Sequence, residues 1–287
     1  MSANPWLARR VLNYAHQGGA REAPSSTLYA LRRAVAAGAH ALELDVHATA
    51  DGELVVCHDA TVDRTTNASG AIADMTLAEV RALDNAYWWV PGQVVAFDED
   101  PSAYPLRGAA PDDPELRIAS LRDVLEAFPG VFLNLDIKQT APAVKPYEGA
   151  LAELLREYGR RDDVIVASFH DAALQAFSSV APEVSVSAGT LAVAQFWQAV
   201  QDGTGDDQLP QSAFDALQVP VAYEGTVIVD DRFVTRAHER GVAVHVWTID
   251  DGKEMADLVD LGVDGIMTDR PTTLAEVLAE RGAAWPG

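Results

Sequence analysis

Eight short apolar runs, each followed by a segment of helical period, dominate this chain and leave few folds open to it. The runs are 11–15 (VLNYA), 40–46 (HALELDV), 131–137 (VFLNLDI), 164–169 (VIVASF), 184–188 (VSVSA), 215–220 (DALQVP), 242–247 (VAVHVW) and 263–268 (VDGIMT). Between and after them, periodicity predicts helices over 26–38, 120–128, 147–159, 171–180, 190–202, 230–240, 251–261 and 272–282. Ser120, Asp171, Thr190, Asp230 and Thr272 stand where an N-cap oxygen is wanted, and Gly38, Gly241 and Gly262 where a helix stops. Near-continuous apolar strands belong to parallel sheets buried on both faces. Eightfold alternation fits a closed (β/α)8 TIM barrel better than an open doubly wound sheet. One barrel domain over residues 1–287 is therefore expected.

One stretch breaks the rhythm. The run 53–57 (ELVVC) reads as an extra short strand and 76–83 as a helix. Residues 84–115 follow, holding Tyr87, Trp88, Trp89 and Tyr104. Such a segment after the second strand is expected to lie over the C-terminal mouth as an inserted lid. Its rings then either cap the rim or wall a pocket for an acyl chain.

Charge narrows the function. With 43 Asp and Glu against 21 Lys and Arg, the net charge is −22 and no basic run occurs. That excludes a phosphate-tracking nucleic-acid binder and docking through a polybasic patch. The single cysteine, Cys57, rules out an internal disulfide and a Cys-based zinc site; inside an apolar run it reads as an inert buried thiol. Arg9–Arg10 is not followed by an apolar signal region, and no stretch approaches about 18 apolar residues. A soluble cytoplasmic protein without membrane insertion is the expectation.

In such a barrel the chemistry sits at the C-terminal strand ends. The first strand ends at His16. The second carries Glu43 and Asp45, whose i, i+2 spacing places both on one face. His58 and Asp59 close ELVVC, Asp136 and Lys138 end the strand at 131–137, and Trp247 ends the seventh. Three carboxylates at two neighbouring strand ends make a hard oxygen site for one divalent cation, Mg²⁺ or Ca²⁺. Two histidines beside it suit general acid–base work, and a lysine on the same rim offsets phosphate charge. Together they point to phosphoryl-group chemistry. The acids also fit a structural charge network, Asp136 and Lys138 a pair closed on itself, and Trp247 simple packing. His40, His47, His170, His238 and His245 read as structural or surface residues, although His47 continues the face of Glu43 and Asp45.

The run from AHQGG to TTNASG resembles the first half of the glycerophosphodiester phosphodiesterases, with their H-R-G, P-E-N-T, E-x-D, T-x-D-G, V-x-x-H-D and R-T-T motifs. LNLDIK, VHVWTID and GVDGIMTDRP resemble the later motifs, so the likeness covers about residues 11–275. It implies a (β/α)8 barrel that hydrolyses glycerophosphodiesters to sn-glycerol 3-phosphate and an alcohol, through a cyclic phosphate. His16 and His58 match the catalytic pair, with the choice of acid and base left open. Glu43, Asp45 and Asp136 match the metal ligands and Lys138 the phosphate-side lysine. Asp stands where Glu is usual at 136, which resembles the related sphingomyelinase-D-like phospholipases; in that branch the Trp247 position faces substrate. Gln17 replaces the arginine of H-R-G on the phosphate side, and Ser25 and Ser26 replace the acid and amide of P-E-N-T. A lysophospholipid is the alternative substrate, hydrolysed in lysophospholipase D fashion. Outside this class stand a non-catalytic binding barrel and a proton-abstracting carboxylate–metal barrel.

Overall fold

The computed structural model describes residues 4–7, 10–203 and 214–284; Arg9 of the Arg9–Arg10 pair lies outside them. Its strands and helices, in chain order, are β1 (Leu12–His16), α1 (Leu28–Ala36), β2 (Ala41–Ala48), β3 (Leu54–Val56), α2 (Leu77–Val80), α3 (Leu121–Ala127), β4 (Phe132–Ile137), α4 (Glu148–Glu157), β5 (Val164–Ala167) and α5 (Asp171–Val180). They continue as β6 (Ser185–Val186), α6 (Thr190–Asp202), β7 (Ala216–Val219), β8 (Ala222–Tyr223), β9 (Thr226–Val227), α7 (Asp231–Glu239), β10 (Ala243–Val246), α8 (Gly252–Leu261), β11 (Gly265–Thr268) and α9 (Pro271–Glu280).

Eight strands are parallel in the order β6-β5-β4-β2-β1-β11-β10-β7, with β3 antiparallel on β2. A parallel bridge between Ser187 and Ala216 brings β6 and β7 together and nearly closes the barrel. Alternation along each strand explains the two faces. On β2, Leu42, Leu44 and Val46 point outward into the helices, with Leu133, Leu135 and Ile137 of β4 beside them. Inward positions run from an apolar floor to a polar mouth. Trp6, Leu12, Ala41, Ile165, Ala216 and Ala243 fill the floor, and Trp6 is fully buried as its plug. Above the floor, the Tyr14 and His245 rings pack 5.1 Å apart, and a Cβ at Gly265 would lie 2.7 and 2.9 Å from them. Only glycine leaves that room.

Caps at Ser120 and Asp230 form as the residues predict, and Gly262 closes α8 in the left-handed conformation. Three expected caps do not. Asp171 is the first residue of α5, and its carboxylate accepts instead from the amide of Leu191 at the start of α6, 3.2 Å away. Thr190 follows the cap Gly189, where a Cβ would come within 2.4 Å of Asp171 Oδ1. Thr272 lies inside the first turn of α9 and donates to Glu22. In each case a tertiary partner outbids the local one. The helix expected over 76–83 shrinks to the single turn α2, held by a Thr76–Glu79 capping box. No helix among the described residues is long and apolar enough to cross a membrane.

Segment 84–115 does not cover the mouth. It packs against the loop after β1 and against α1: Asn85 donates to the Ser25 carbonyl (2.9 Å), the Trp89 indole to Ala20 (3.0 Å), and Arg32 pairs with Glu115 (2.8 Å). The Arg107 guanidinium lies over the rings of Tyr87, Trp88 and Tyr104, 4.6, 4.7 and 3.4 Å from their centroids, and occupies the aromatic faces that a substrate would need.

Candidate active site

Strand register assembles the site before any side chain is considered. β1 and β2 pair His16 with Glu43, and β2 and β4 pair Asp45 with Asp136. Lys138 follows two residues later on the same inward face. The mouth opens into a cavity of about 940 Å³ lined by His16, Glu43, Asp45, His58, Asp136, Lys138 and Trp247 among others. All the expected site residues except Gln17 line it.

The two imidazoles meet edge to face, ring centroids 6.3 Å apart and nearly perpendicular at 81°. Each is tied through Nδ1 to a carboxylate: His16 to Asp269 Oδ1 at 2.7 Å, His58 to Asp59 Oδ1 at 2.6 Å. A carboxylate on Nδ1 fixes the tautomer and leaves Nε2 as the working nitrogen. Burial opposes protonation of His16, but the Asp269 hydrogen bond and the charges of Glu43, Asp269 and Asp45 outweigh it and lift the ring to about 9. Asp59 is gripped in turn by Arg64 at 2.6 and 3.2 Å. The His58 hydrogen bond, ahead of Arg64, holds its carboxyl well below the usual range.

Beside the histidines lie the acids. Glu43 is pushed up to about 8, first by burial and then by the Asp45 charge, with protonated His16 opposing. Burial also raises Asp136, against the pull of Lys138. The Lys138 ammonium lies 3.2 Å from Asp45 and 3.3 Å from Asp136, and their charges raise it in spite of burial. One ammonium does not satisfy three acids. Glu43 Oε2, Asp45 Oδ2 and Asp136 Oδ1 are all buried without a hydrogen-bond partner. Among the described residues no three His, Cys, Asp or Glu side chains close around a single point as they stand. The donor chemistry nevertheless fits a hard cation, because buried, unpartnered carboxylate oxygens are costly unless an ion or proton meets them.

Gln17 sits away from the cavity wall, buried, with φ at 53°; its amide Nε2 lies 3.0 Å from His16 Nε2. Ser25 and Ser26 are buried behind it and do not line the cavity either, so both replaced positions of that box lie in the support of the loop after β1. Cys57 is buried and its thiol is pushed up to about 12 by burial, as an inert thiol should be. His47 contacts Gln139 and the His58 carbonyl rather than the acids.

Sequence reasoning missed Asp269, which ends the last strand and meets the first only because the barrel closes. It also missed the wall of the cavity. That wall comes from α6 and the small β8–β9 hairpin: Val193, Ala194, Trp197, Tyr223 and Ile228 line it, with Phe169 and Trp247 stacked edge-on 5.8 Å apart at its inner end. The Trp197 indole donates to the Val227 carbonyl at 3.3 Å and joins helix to hairpin. No residue of 84–115 lines this cavity, so the pocket wall expected in the insertion is not formed there, and the apolar lining comes from α6 and the hairpin.

A barrel mouth that gathers two carboxylate-tied imidazoles, three buried acids and a lysine holds the groups that a hydrolase of phosphate esters uses. The chain belongs to the glycerophosphoryl diester phosphodiesterase family, whose profile matches residues 16–273. It is 30% identical to a glycerophosphodiester phosphodiesterase of Caldanaerobacter subterraneus over 95% of this chain and all of that one. It is 26% identical to a lysophospholipase D of Rattus norvegicus over 95% of this chain and 87% of the other. Among solved structures, the glycerophosphoryl diester phosphodiesterase domain of a Mycobacterium tuberculosis protein superposes with TM-score 0.77 at 19% identity, covering 94% of this chain and 99% of that one. An Oleispira antarctica phosphodiesterase in complex with the product sn-glycerol-3-phosphate superposes with TM-score 0.69 at 24% identity, covering 93% and 96%. These likenesses confirm the fold.

Proposed function

We propose that this chain hydrolyses glycerophosphodiesters to sn-glycerol 3-phosphate and an alcohol, with one divalent cation, Mg²⁺ or Ca²⁺, held by Glu43, Asp45 and Asp136. The observation that carries the reading is the trio of buried, unpartnered carboxylate oxygens in one cavity with two carboxylate-backed imidazoles. When bound, the cation neutralises phosphate charge and acidifies a hydroxyl that it meets. Lys138 then turns from Asp45 and Asp136 toward the phosphate. One of His16 and His58 accepts the proton of the attacking substrate hydroxyl while the other protonates the departing alcohol, which leaves a cyclic phosphate; water then opens it to sn-glycerol 3-phosphate with the two proton transfers reversed. Both histidines act through Nε2, because Nδ1 is held by a carboxylate; at His16 this requires Gln17 to release Nε2. Gln17 acts on the phosphate side through His16, and Trp247 walls the leaving group.

A second substrate is favoured by the α6–hairpin wall. A cavity of about 940 Å³ has room well beyond a glycerophosphate, and its far wall is apolar. A lysophospholipid places its acyl chain there while its phosphodiester occupies the same centre. The test is release of sn-glycerol 3-phosphate from glycerophosphocholine, and of choline from lysophosphatidylcholine, each with Mg²⁺, Ca²⁺ or EDTA. Cation-dependent release is expected, and turnover that survives EDTA would overturn the metal assignment.

A further inference from the structure

Segment 84–115 is tied to the catalytic centre by a continuous run of hydrogen bonds on the side away from the cavity. The Asp269 carboxylate accepts from His16 Nδ1 at 2.7 Å, and the Asp269 amide donates to Asp250 Oδ1 at 2.9 Å. Thr268 donates its hydroxyl to that same oxygen at 3.0 Å. The other Asp250 oxygen accepts from Arg21 Nε at 2.8 Å. Arg21 is a junction: its amide donates to the Asp269 carbonyl (3.2 Å), its carbonyl accepts from the Gly92 amide (2.9 Å), and its Nη1 donates to the Gly92 carbonyl (3.1 Å). One residue earlier, the Ala20 carbonyl takes the Trp89 indole.

We propose that Asp269 is a positioning residue for His16, and that the insertion braces it through Arg21 and Asp250. The brace rests on the reading that His16 transfers a proton. Asp269 is 6% exposed, so water does not substitute for its partners. With both oxygens of Asp250 engaged and Asp269 fixed at amide and carbonyl, the carboxylate has one place to stand, and the imidazole follows. His58 is held differently. Its partner Asp59 is adjacent in sequence and is clamped by Arg64 five residues on; the insertion reaches this loop past the clamp, at Thr65 and Asn67, and not through Arg21. His58 therefore serves as an internal control.

The test is a double-mutant cycle with glycerophosphocholine as substrate. Asp269→Asn is expected to lower kcat about 100-fold and Arg21→Ala about tenfold, each with KM within about twofold, since misplacing a catalytic group by an ångström costs rate rather than affinity. The double variant should be no slower than Asp269→Asn alone, because both act through one contact. Arg21→Lys, which keeps a donor for Asp250, should restore kcat to within about threefold of wild type. Losses that multiply, or an Arg21→Ala enzyme at full kcat, would overturn the brace. A second arm needs no turnover. The low-field Nδ1 proton of His16, assigned by its loss in His16→Gln, should be sharp in the wild type and exchange-broadened in Arg21→Ala, while that of His58 is unchanged. If the wild type turns over no glycerophosphocholine, the proposed reaction fails and this arm alone decides the brace. An unaltered His16 resonance, or equal broadening at both rings, refutes it.

Discussion

Two groups at the heart of the site hold protons to unusually high pH, and this makes the metal-free protein lose stability as pH rises. Glu43 ordinarily titrates near 4.5 and is pushed up to about 8; His16 moves from 6.5 to about 9. Below both ordinary values, folded and unfolded chains are equally protonated at these groups. As pH rises, the unfolded chain gives up its protons first, so the folded state is progressively disfavoured until each folded value is passed. At about 1.36 kcal/mol per pH unit the full separations are worth about 5 kcal/mol for Glu43 and about 3 kcal/mol for His16. Protonated His16 and ionised Glu43 stabilise each other, so the two do not add, and an order of 4 kcal/mol is expected between pH 5 and 9. At about 2 °C per kcal/mol for a chain of this size, these two groups alone should lower Tm in EDTA by about 8 °C over that range, against an opposing rise up to about pH 6.5 from His245, which burial holds down at about 3. Mg²⁺ or Ca²⁺ should remove most of the fall, because a cation keeps the carboxylates ionised in the folded state and binds more tightly as protons leave. Differential scanning calorimetry in EDTA and in each ion, at matched ionic strength, makes the comparison. His245, buried among the floor residues, adds a slope that no ion at the mouth touches, so the difference between the two series is the quantity to read. Glu43→Gln should flatten the EDTA series. Parallel series with and without cation would refute the reasoning.

Other consequences follow from single contacts. Trp197→Ala opens the apolar wall and should raise KM for lysophosphatidylcholine about tenfold while leaving glycerophosphocholine within about twofold; equal effects on both would remove the acyl chain from this wall. His58→Ala should lower kcat by at least about 100-fold with cation affinity retained, as isothermal titration would show, and near-wild-type turnover would sink the pair. Gly265→Ala drives a methyl to within 2.7 Å of the Tyr14 ring and should destabilise the protein by about 1–3 kcal/mol, read as C_m in urea at constant m. An unchanged midpoint would show that the two rings can part.

Most of the barrel was legible because it rests on local patterns. Strand runs such as LNLDI and VAVHV are apolar outward and short, and the acids at alternate inward positions stand out against them. Glu43, Asp45, Asp136, Lys138, His16 and His58 converge as their strand-end positions predict, because parallel register sets Glu43 beside His16 and Asp136 beside Asp45. The capping errors have one cause. Asp171, Thr190 and Thr272 were assigned by nearness in sequence, whereas the oxygens of Asp171 and Thr272 serve groups about 20 and 250 residues away. The hairpin at 222–227 carries no apolar run long enough to announce itself; Glu224 and Gly225, both at positive φ, make its turn. Only the structure places that hairpin against α6 to form the wall.

The insertion shows where composition misleads. Five aromatic residues in 84–115 read as a rim cap or a substrate wall because aromatic, apolar lining is what such a pocket needs. The segment's other contacts remove that argument, since Arg107 stacks on three of the rings, Trp89 spends its N–H on Ala20, and Phe97 packs edge-on against Trp88 at 5.3 Å. Rings so satisfied have a structural task, and the task is set by what else the segment touches, namely Arg21. Closure of the barrel then explains why the support is needed at that point. β1 and β11 are the first and last strands, paired with Ala15 opposite Thr268, so His16 and Asp269 meet across the seam where the chain's two ends join. A catalytic contact across such a seam depends on residues about 250 apart in sequence, and no local turn fixes it. His58 needs no equivalent, because Asp59 and Arg64 travel with it on one loop. The asymmetry between a locally held histidine and a seam-held one is why a segment outside the cavity belongs to the catalytic apparatus.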